Sequence, residues 1–220
     1  MPLSLTVVTH TDKKFRRDIS RCVRSVNEAL VDNCTHKIIE FSGDNNEFIR
    51  SRHESLQLDD IVVFVDDDDY ISPDSLKHCL NALSHTSAGV AFTNEIVVYQ
   101  TGNQNVNRID LRYSSLLDNP QSVHHMTAYR RDYITARSLD LSLKYQCSIE
   151  WISRVDAACN AGAIYVPING YFWVQHENQT HRRLEQINYH KIGIPLVSDE
   201  LRTWNIKDGI IPTWDIKINL

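Results

Sequence analysis

The sequence predicts an α/β domain on a mostly parallel sheet, and three observations predict it. Apolar, β-branched runs alternate with amphipathic helical segments through the first half of the chain. Ile61 to Val65 is an uninterrupted apolar run, as expected of a strand buried on both faces. Four consecutive acids, Asp66 to Asp69, follow it directly, at the strand end where open α/β sheets bind their ligands.

Taken in order, Leu3 to Thr9 is an alternating, β-branched first strand, and Phe15 to Leu30 sets Ile19, Cys22, Val23, Val26 and Leu30 on one helical face. His36 to Phe41 reads as a second strand, Glu47 to Leu58 as a helix and Ile61 to Val65 as a third strand, giving βαβαβ. Ser72-Pro73-Asp74 then reads as a helix start, with Ser72 as N-cap, Pro73 at the first helical position and Leu76, Leu80 and Leu83 as the buried stripe. Beyond it, Gly89 to Thr93 and Glu95 to Tyr99 read as two strands, and Thr101 to Asn105 as a polar loop tip. A helix over Glu150 to Ala161 and short strands at Ala163 to Val166 and Tyr171 to Gln175 complete a mixed second half. No repeat, low-complexity segment or linker divides the chain, so one domain over residues 1–220 is expected.

Composition narrows the function classes. The chain is 42% apolar and 23% charged, ordinary values for a globular protein, and no apolar stretch reaches the length of a membrane span. The start, Met1-Pro2-Leu3-Ser4, lacks the basic and hydrophobic regions of a signal peptide, so a cytoplasmic protein is expected. Its five cysteines are scattered and never spaced Cys-x-x-Cys, which argues for reduced thiols rather than disulfides or a zinc site. A formal charge of −5 argues against binding nucleic acid through the overall field, although Lys13, Lys14, Arg16, Arg17, Arg130, Arg131, Arg182 and Arg183 would follow phosphates if the fold gathered them.

The acids carry the chemistry. Four adjacent carboxylates repel one another unless something cationic sits among them, and period-two alternation puts Asp66 and Asp68 on one side, Asp67 and Asp69 on the other. A hard divalent cation, Mg²⁺ or Mn²⁺, is held by one or two such oxygens and keeps its remaining positions for phosphate and water. The bland alternative is an acidic turn capping the helix after Pro73.

The run Val63-Phe64-Val65-Asp66-Asp67-Asp68-Asp69-Tyr70-Ile71-Ser72-Pro73 resembles the hydrophobic strand, Asp-x-Asp-Asp and following Pro of family-two-like GT-A glycosyltransferases. Thr6 to Thr11 looks like that family's first strand and nucleotide-base loop, Ile38 to Asp44 like its second strand, and Arg50-Ser51-Arg52-His53 like its Ala-Arg-Asn segment. The resemblance implies a Rossmann-like GT-A domain with a nucleotide-sugar-binding half (1–100) and an acceptor-binding half (101–220). It implies Asp66, Asp68 and His176 as metal ligands, with Asp66 or Asp69 reaching sugar or ribose. Thr9, His10, Thr11, Asp12, Asp44, Arg52, Asp66, Asp67 and Arg182 would bind the donor, a nucleoside diphosphate sugar with uridine as the default base. His181 and Arg183 would join Arg182 on the diphosphate. His10 departs from the small or aromatic residue usual in the family.

An inverting transfer needs a base to take the acceptor hydroxyl's proton. Ser148-Ile149-Glu150-Trp151 looks like a shortened Glu-Asp-aromatic motif, which makes Glu150 the candidate base, with Asp156 in reserve and Trp151 stacking on sugar or acceptor. A narrower resemblance, to small bacteriophage glycosyltransferases acting on hydroxymethylcytosine in DNA, implies a pentose such as arabinose and work in the host cytoplasm. There Arg130 and Arg131 would bind the acceptor, and Tyr129 and Trp151 would hold an extruded base. The rivals are a bacterial surface-polysaccharide glycosyltransferase and a non-catalytic metal or nucleotide-sugar-binding module. A nucleotidyltransferase is disfavoured because seven glycines form no phosphate-binding loop.

Overall fold

The computed structural model describes residues 2–14, 18–99, 101–102, 104–107, 126–133, 157 and 161–176. Strand β1 (Leu5–Asp12), helix α1 (Ser20–Ala29), strand β2 (Cys34–Phe41), helix α2 (Asn45–Ser55) and strand β3 (Ile61–Phe64) come first. β1 pairs in parallel with β2 on one side and β3 on the other, the order a right-handed βαβαβ unit produces. β2 lies at the sheet edge and its side chains are half exposed, whereas all four residues of β3 are buried. The apolar run predicted that difference.

There follow strand β4 (Tyr70–Ile71), helix α3 (Ser75–Ser84), strands β5 (Val90–Tyr99), β6 (Gln104–Asn107) and β7 (Thr127–Arg130), a 3-10 turn at Arg131–Tyr133, and strand β8 (Ala163–Gln175). One eight-stranded sheet results, in the order β2-β1-β3-β7-β5-β8-β4, with β6 paired to β5. β7 runs against both β3 and β5, so β5 and its parallel partner β8 point the same way as β3. The long pairings, β1 with β2 and β5 with β8, are parallel, while the antiparallel ones are short.

The core lies where α1 and α3 cover one face of the sheet. Cys22, Val26 and Ala29 from α1 meet Leu76, Cys79 and Leu83 from α3 over Val7, Val63, Ala91 and Ala128. Burying Leu76 and Leu83 completely contributes about 2 kcal/mol each. On the opposite face, α2 lays Phe48 against Phe41 and His10.

Several boundaries differ from the sequence reading. α3 starts at Ser75 with Asp74 at the cap, and Ser72 instead closes a preceding turn by accepting from the Ser75 amide at 3.1 Å. The proline thus belongs to the turn. The two strands expected over 89–99 are one, as are the two over 163–175, because a register shift at Thr93 to Glu95 lets pairing continue past the irregularity. Gly170 sits there: a β-carbon would come within 2.3 Å of the Thr93 hydroxyl. Gln104 and Asn105, expected in the loop tip, belong to β6. Of the helix expected over 150–161, Ala157 and Ala161 are helical and the rest lies outside the described residues.

β7 meets β5 no higher than Phe92, while β5 and β8 run on together to Tyr99 and Gln175. The chain leaving β3 therefore turns onto β8 above the end of β7. That turn is the acidic one.

Candidate active site

Each of the four acids has its own contact. Asp66 and Asp69 are the ends of a tight turn, the Asp69 amide donating to the Asp66 carbonyl at 3.1 Å. Asp66 is the most open, its side chain 41% exposed, and its Oδ1 accepts from Arg52 Nη2 at 2.9 Å. Asp67 turns inward and accepts from the Thr11 hydroxyl at 2.9 Å. Asp68 lies 2.6 Å from His176 Nε2, each side chain 17% exposed, and its carbonyl accepts from Arg21 at 2.9 Å. Asp69 is 1% exposed, accepting from the Tyr171 hydroxyl at 2.7 Å and the Val174 amide at 2.8 Å. Burial, then the charges of Asp68 and Asp66, hold its carboxyl well above the usual carboxylate range. Asp66 and Asp68 are thus the less buried two and Asp67 and Asp69 the buried two, an alternation set by the turn's contacts and not by a strand.

Arg52 reaches Asp66 from α2. Its guanidinium lies 4.2 Å from the Phe64 ring centre and 5.1 Å from that of Phe48, so the charge is fixed between aromatic faces, with 5% of its side chain exposed. His10 is buried beside the same rings, 5.2 Å from Phe48 and 6.0 Å from Phe64. Thr9 is fully enclosed, its hydroxyl 3.0 Å from His36 Nε2 and 3.5 Å from the Cys22 sulfur. Thr9 and His10 thus sit in the interior beneath the place where a donor base was expected.

Asp12 and Asp44 remain at the strand ends. Asp12 accepts from the Lys14 amide at 2.8 Å and lies against Gly43, whose φ of +83° brings the β2 loop close to the β1 loop. Asp44 caps α2, accepting from the Glu47 amide at 2.9 Å, while Glu47 reaches back to the Ser42 amide at 2.9 Å. Arg21 lies over Tyr70 at 4.7 Å, and Tyr70 stacks on Phe172 at 4.5 Å, a column flanking the Asp68 carbonyl.

Arg130 and Arg131, expected to bind the acceptor, lie away from the acidic turn. Arg130 pairs with Ile61, at the other end of β3 from the acids, about 15 Å away at the usual rise per residue. Its guanidinium donates to the carbonyls of Leu83, Thr86 and Ala88 and so closes the end of α3. Arg131 lies 3.8 Å from Asp60, also at that end. Tyr129 is fully buried, 6.1 Å from Phe64, and cannot grip a base. Glu150, Trp151, Asp156, His181, Arg182 and Arg183 lie outside the described residues.

Of the three ligands expected for a metal, the structure brings Asp68 and His176 together and turns Asp66 to Arg52. Among the described residues no three of His, Cys, Asp and Glu form a group that could hold an ion. Asp68 and His176 bring one carboxylate and one imidazole together, and a hard divalent ion there would need phosphate oxygens and water for its remaining donors. Sequence reasoning missed Tyr171, whose hydroxyl touches both ends of the turn; nothing in an aromatic strand singles it out.

No family model and no curated protein matches this sequence. Solved structures do. Residues 1–349 of S. aureus TarS superpose with a TM-score of 0.57 at 13% identity, covering 78% of this chain and 60% of that one. A longer S. aureus TarS structure gives 0.59 at 14% identity, with 78% and 37% covered. TarS 1–349 in complex with UDP-GlcNAc gives 0.55 at 14% identity, with 80% and 60% covered. This chain thus matches less than two thirds of each of those chains. Among the described residues, no helix is long and apolar enough to cross a membrane. With its parallel β1, β2 and β3, its mixed second half and this likeness, the chain has the Rossmann-like GT-A fold.

Proposed function

We propose that this chain is a glycosyltransferase that moves a sugar from a nucleoside diphosphate donor to a hydroxyl acceptor. The observation that carries the reading is the outward-facing pair Asp66 and Asp68 at the C-terminal end of β3 in a GT-A fold, with His176 against Asp68. TarS has been seen in complex with UDP-GlcNAc and with UDP, which supports a uridine donor here.

Asp68 and His176 would hold a divalent cation, Mn²⁺ or Mg²⁺, together with the diphosphate. When bound, that ion supplies Lewis-acid neutralisation of the charge that grows on the leaving diphosphate. Arg52 fixes Asp66 beside the donor, and the strand-end loops at Asp12 and Gly43 flank the nucleoside. Glu150, with Asp156 in reserve, is proposed as the base of an inverting transfer.

For the acceptor, a saccharide hydroxyl is favoured over hydroxymethylcytosine in DNA. The commitment of Arg130 to the α3 carbonyls removes a phosphate contact on which the DNA reading leaned. A pentosyl transfer to DNA would have to rely on Lys13, Lys14, Arg16, Arg17 and the Arg182-Arg183 pair.

The test is thermal stabilisation by UDP and UDP-sugars with and without Mn²⁺, followed by slow donor hydrolysis in wild type and Asp68→Ala. Mn²⁺-dependent stabilisation and hydrolysis, both lost in Asp68→Ala, are expected. Stabilisation without hydrolysis in the presence of saccharide or DNA acceptors would leave a binding module. No stabilisation by any nucleotide would end the transferase reading.

A further inference from the structure

Tyr171 is fully buried, yet its hydroxyl is placed where a polar atom has two uses. It donates to Asp69 Oδ2 at 2.7 Å and accepts from the Asp66 amide at 3.2 Å. The backbone of the same strand adds a second hold on Asp69, the Val174 amide donating to Oδ1 at 2.8 Å. Two residues further on, His176 meets Asp68 at 2.6 Å. One strand therefore grips the acidic turn at its first residue, its third and its fourth.

The energetics indicate what this grip is for. Placing a carboxyl in the interior is costly unless it is hydrogen-bonded; here the Tyr171 hydroxyl and the Val174 amide meet it, and an apolar residue at 69 would take that acceptor from both donors. The arrangement ties the turn to β8. Its geometric effect is specific: with Asp69 drawn in and the Asp66 amide tied to the same hydroxyl, the side chains of Asp66 and Asp68 are both left on the outer side. A Phe at 171 would fill nearly the same volume and make neither bond. Buried partners that orient a ligand in this way typically change metal affinity by about 10–100-fold when removed.

We propose that Tyr171 is a positioning residue which, through Asp69 and the Asp66 amide, holds the acidic turn so that Asp68 stands beside His176 for binding the metal–diphosphate group of a nucleotide donor. The inference rests on the donor-site reading above. It assigns Tyr171 no contact with the substrate and no proton to transfer.

The test titrates Mn²⁺ into protein saturated with UDP and follows free Mn²⁺ by its electron paramagnetic resonance signal. Wild type, Tyr171→Phe, Asp69→Asn and the remote core variant Leu83→Ala are compared, and each is also melted without metal. The expected result is Mn²⁺ affinity at least about tenfold weaker in Tyr171→Phe, and weaker in Asp69→Asn, at melting temperatures no lower than that of Leu83→Ala. Leu83→Ala should keep wild-type affinity, which separates positioning from general loss of stability. Wild-type affinity in a folded Tyr171→Phe overturns the proposal while leaving the donor site standing. If Tyr171→Phe does not fold, Asp69→Asn decides in the same way. Failure of wild type with UDP to bind Mn²⁺ at all would overturn the metal reading itself.

Discussion

Replacing Arg52 by Met is the sharpest test of how the site is held, because it removes one charge and keeps most of the volume. The guanidinium stands 2.9 Å from Asp66 Oδ1, a gross attraction of about 6 kcal/mol at an effective dielectric of about 20. Much of that is offset. Arg52 has been withdrawn from water, while the Asp66 side chain is 41% exposed and regains hydration when the pair is broken. The contacts with Phe48 and Phe64 add about 0.5–1 kcal/mol each, which the Met thioether recovers in part. The net loss should be about 2 kcal/mol, or about 4–8 °C in melting temperature for a chain of this size. Thermal melts of wild type, Arg52→Met, Asp66→Asn and the double variant would measure it as a coupling energy. Because the same pair orients Asp66, UDP-induced stabilisation should fall in Arg52→Met as well. A melting temperature within about 1 °C of wild type, with additive single changes, would refute the argument that Arg52 fixes Asp66.

Two further predictions concern the framework. A β-carbon at Gly89 would lie 2.1 Å from the Ala157 carbonyl oxygen, a backbone atom, so Gly89→Ala should cost about 3 kcal/mol in urea unfolding. Gly102→Ala, in open space but at φ +82°, should cost about 1 kcal/mol, and equal effects would mean that residue 157 does not pack there. Burial holds the His36 imidazole below its ordinary 6.5, so the fold takes up its proton less readily than the unfolded chain does. The stability this gives is fully present above 6.5 and is lost as pH falls through the lower folded value. Melting temperatures taken downward from neutral pH should decline less in His36→Asn than in wild type; parallel slopes would assign the effect to another group.

The sequence made the first half of the fold legible because there the period of the apolar pattern coincides with what each element buries. Ile61 to Phe64 is covered on both faces and reads as an unbroken run; α1 and α3 bury one stripe each, seen in Cys22, Val26, Leu76 and Leu83. In the second half the same reading split β5 and β8 in two, since Asn94 and Asn169 interrupt the apolar pattern at a register shift that backbone pairing spans. The place of Arg130 was not legible for a different reason. An arginine that closes a helix end and one that meets a phosphate look alike in sequence, and the register of β7 on β3 alone separates them.

The acids themselves were legible as a site but not in their division of labour. Read as a row, four carboxylates call for a strong cation. In the fold, Thr11 takes Asp67, Tyr171 and the Val174 amide take Asp69, and Arg52 already answers Asp66. Burial further favours the uncharged form of Asp69. What faces outward beyond the Arg52 pair is then one carboxylate with an imidazole beside it, a weak site for a hard divalent ion on its own. A diphosphate would bring the missing negative charge and oxygen donors. On the proposed donor-site reading, metal and nucleotide would each complete the site for the other, which is why the Mn²⁺ titration belongs in the presence of UDP.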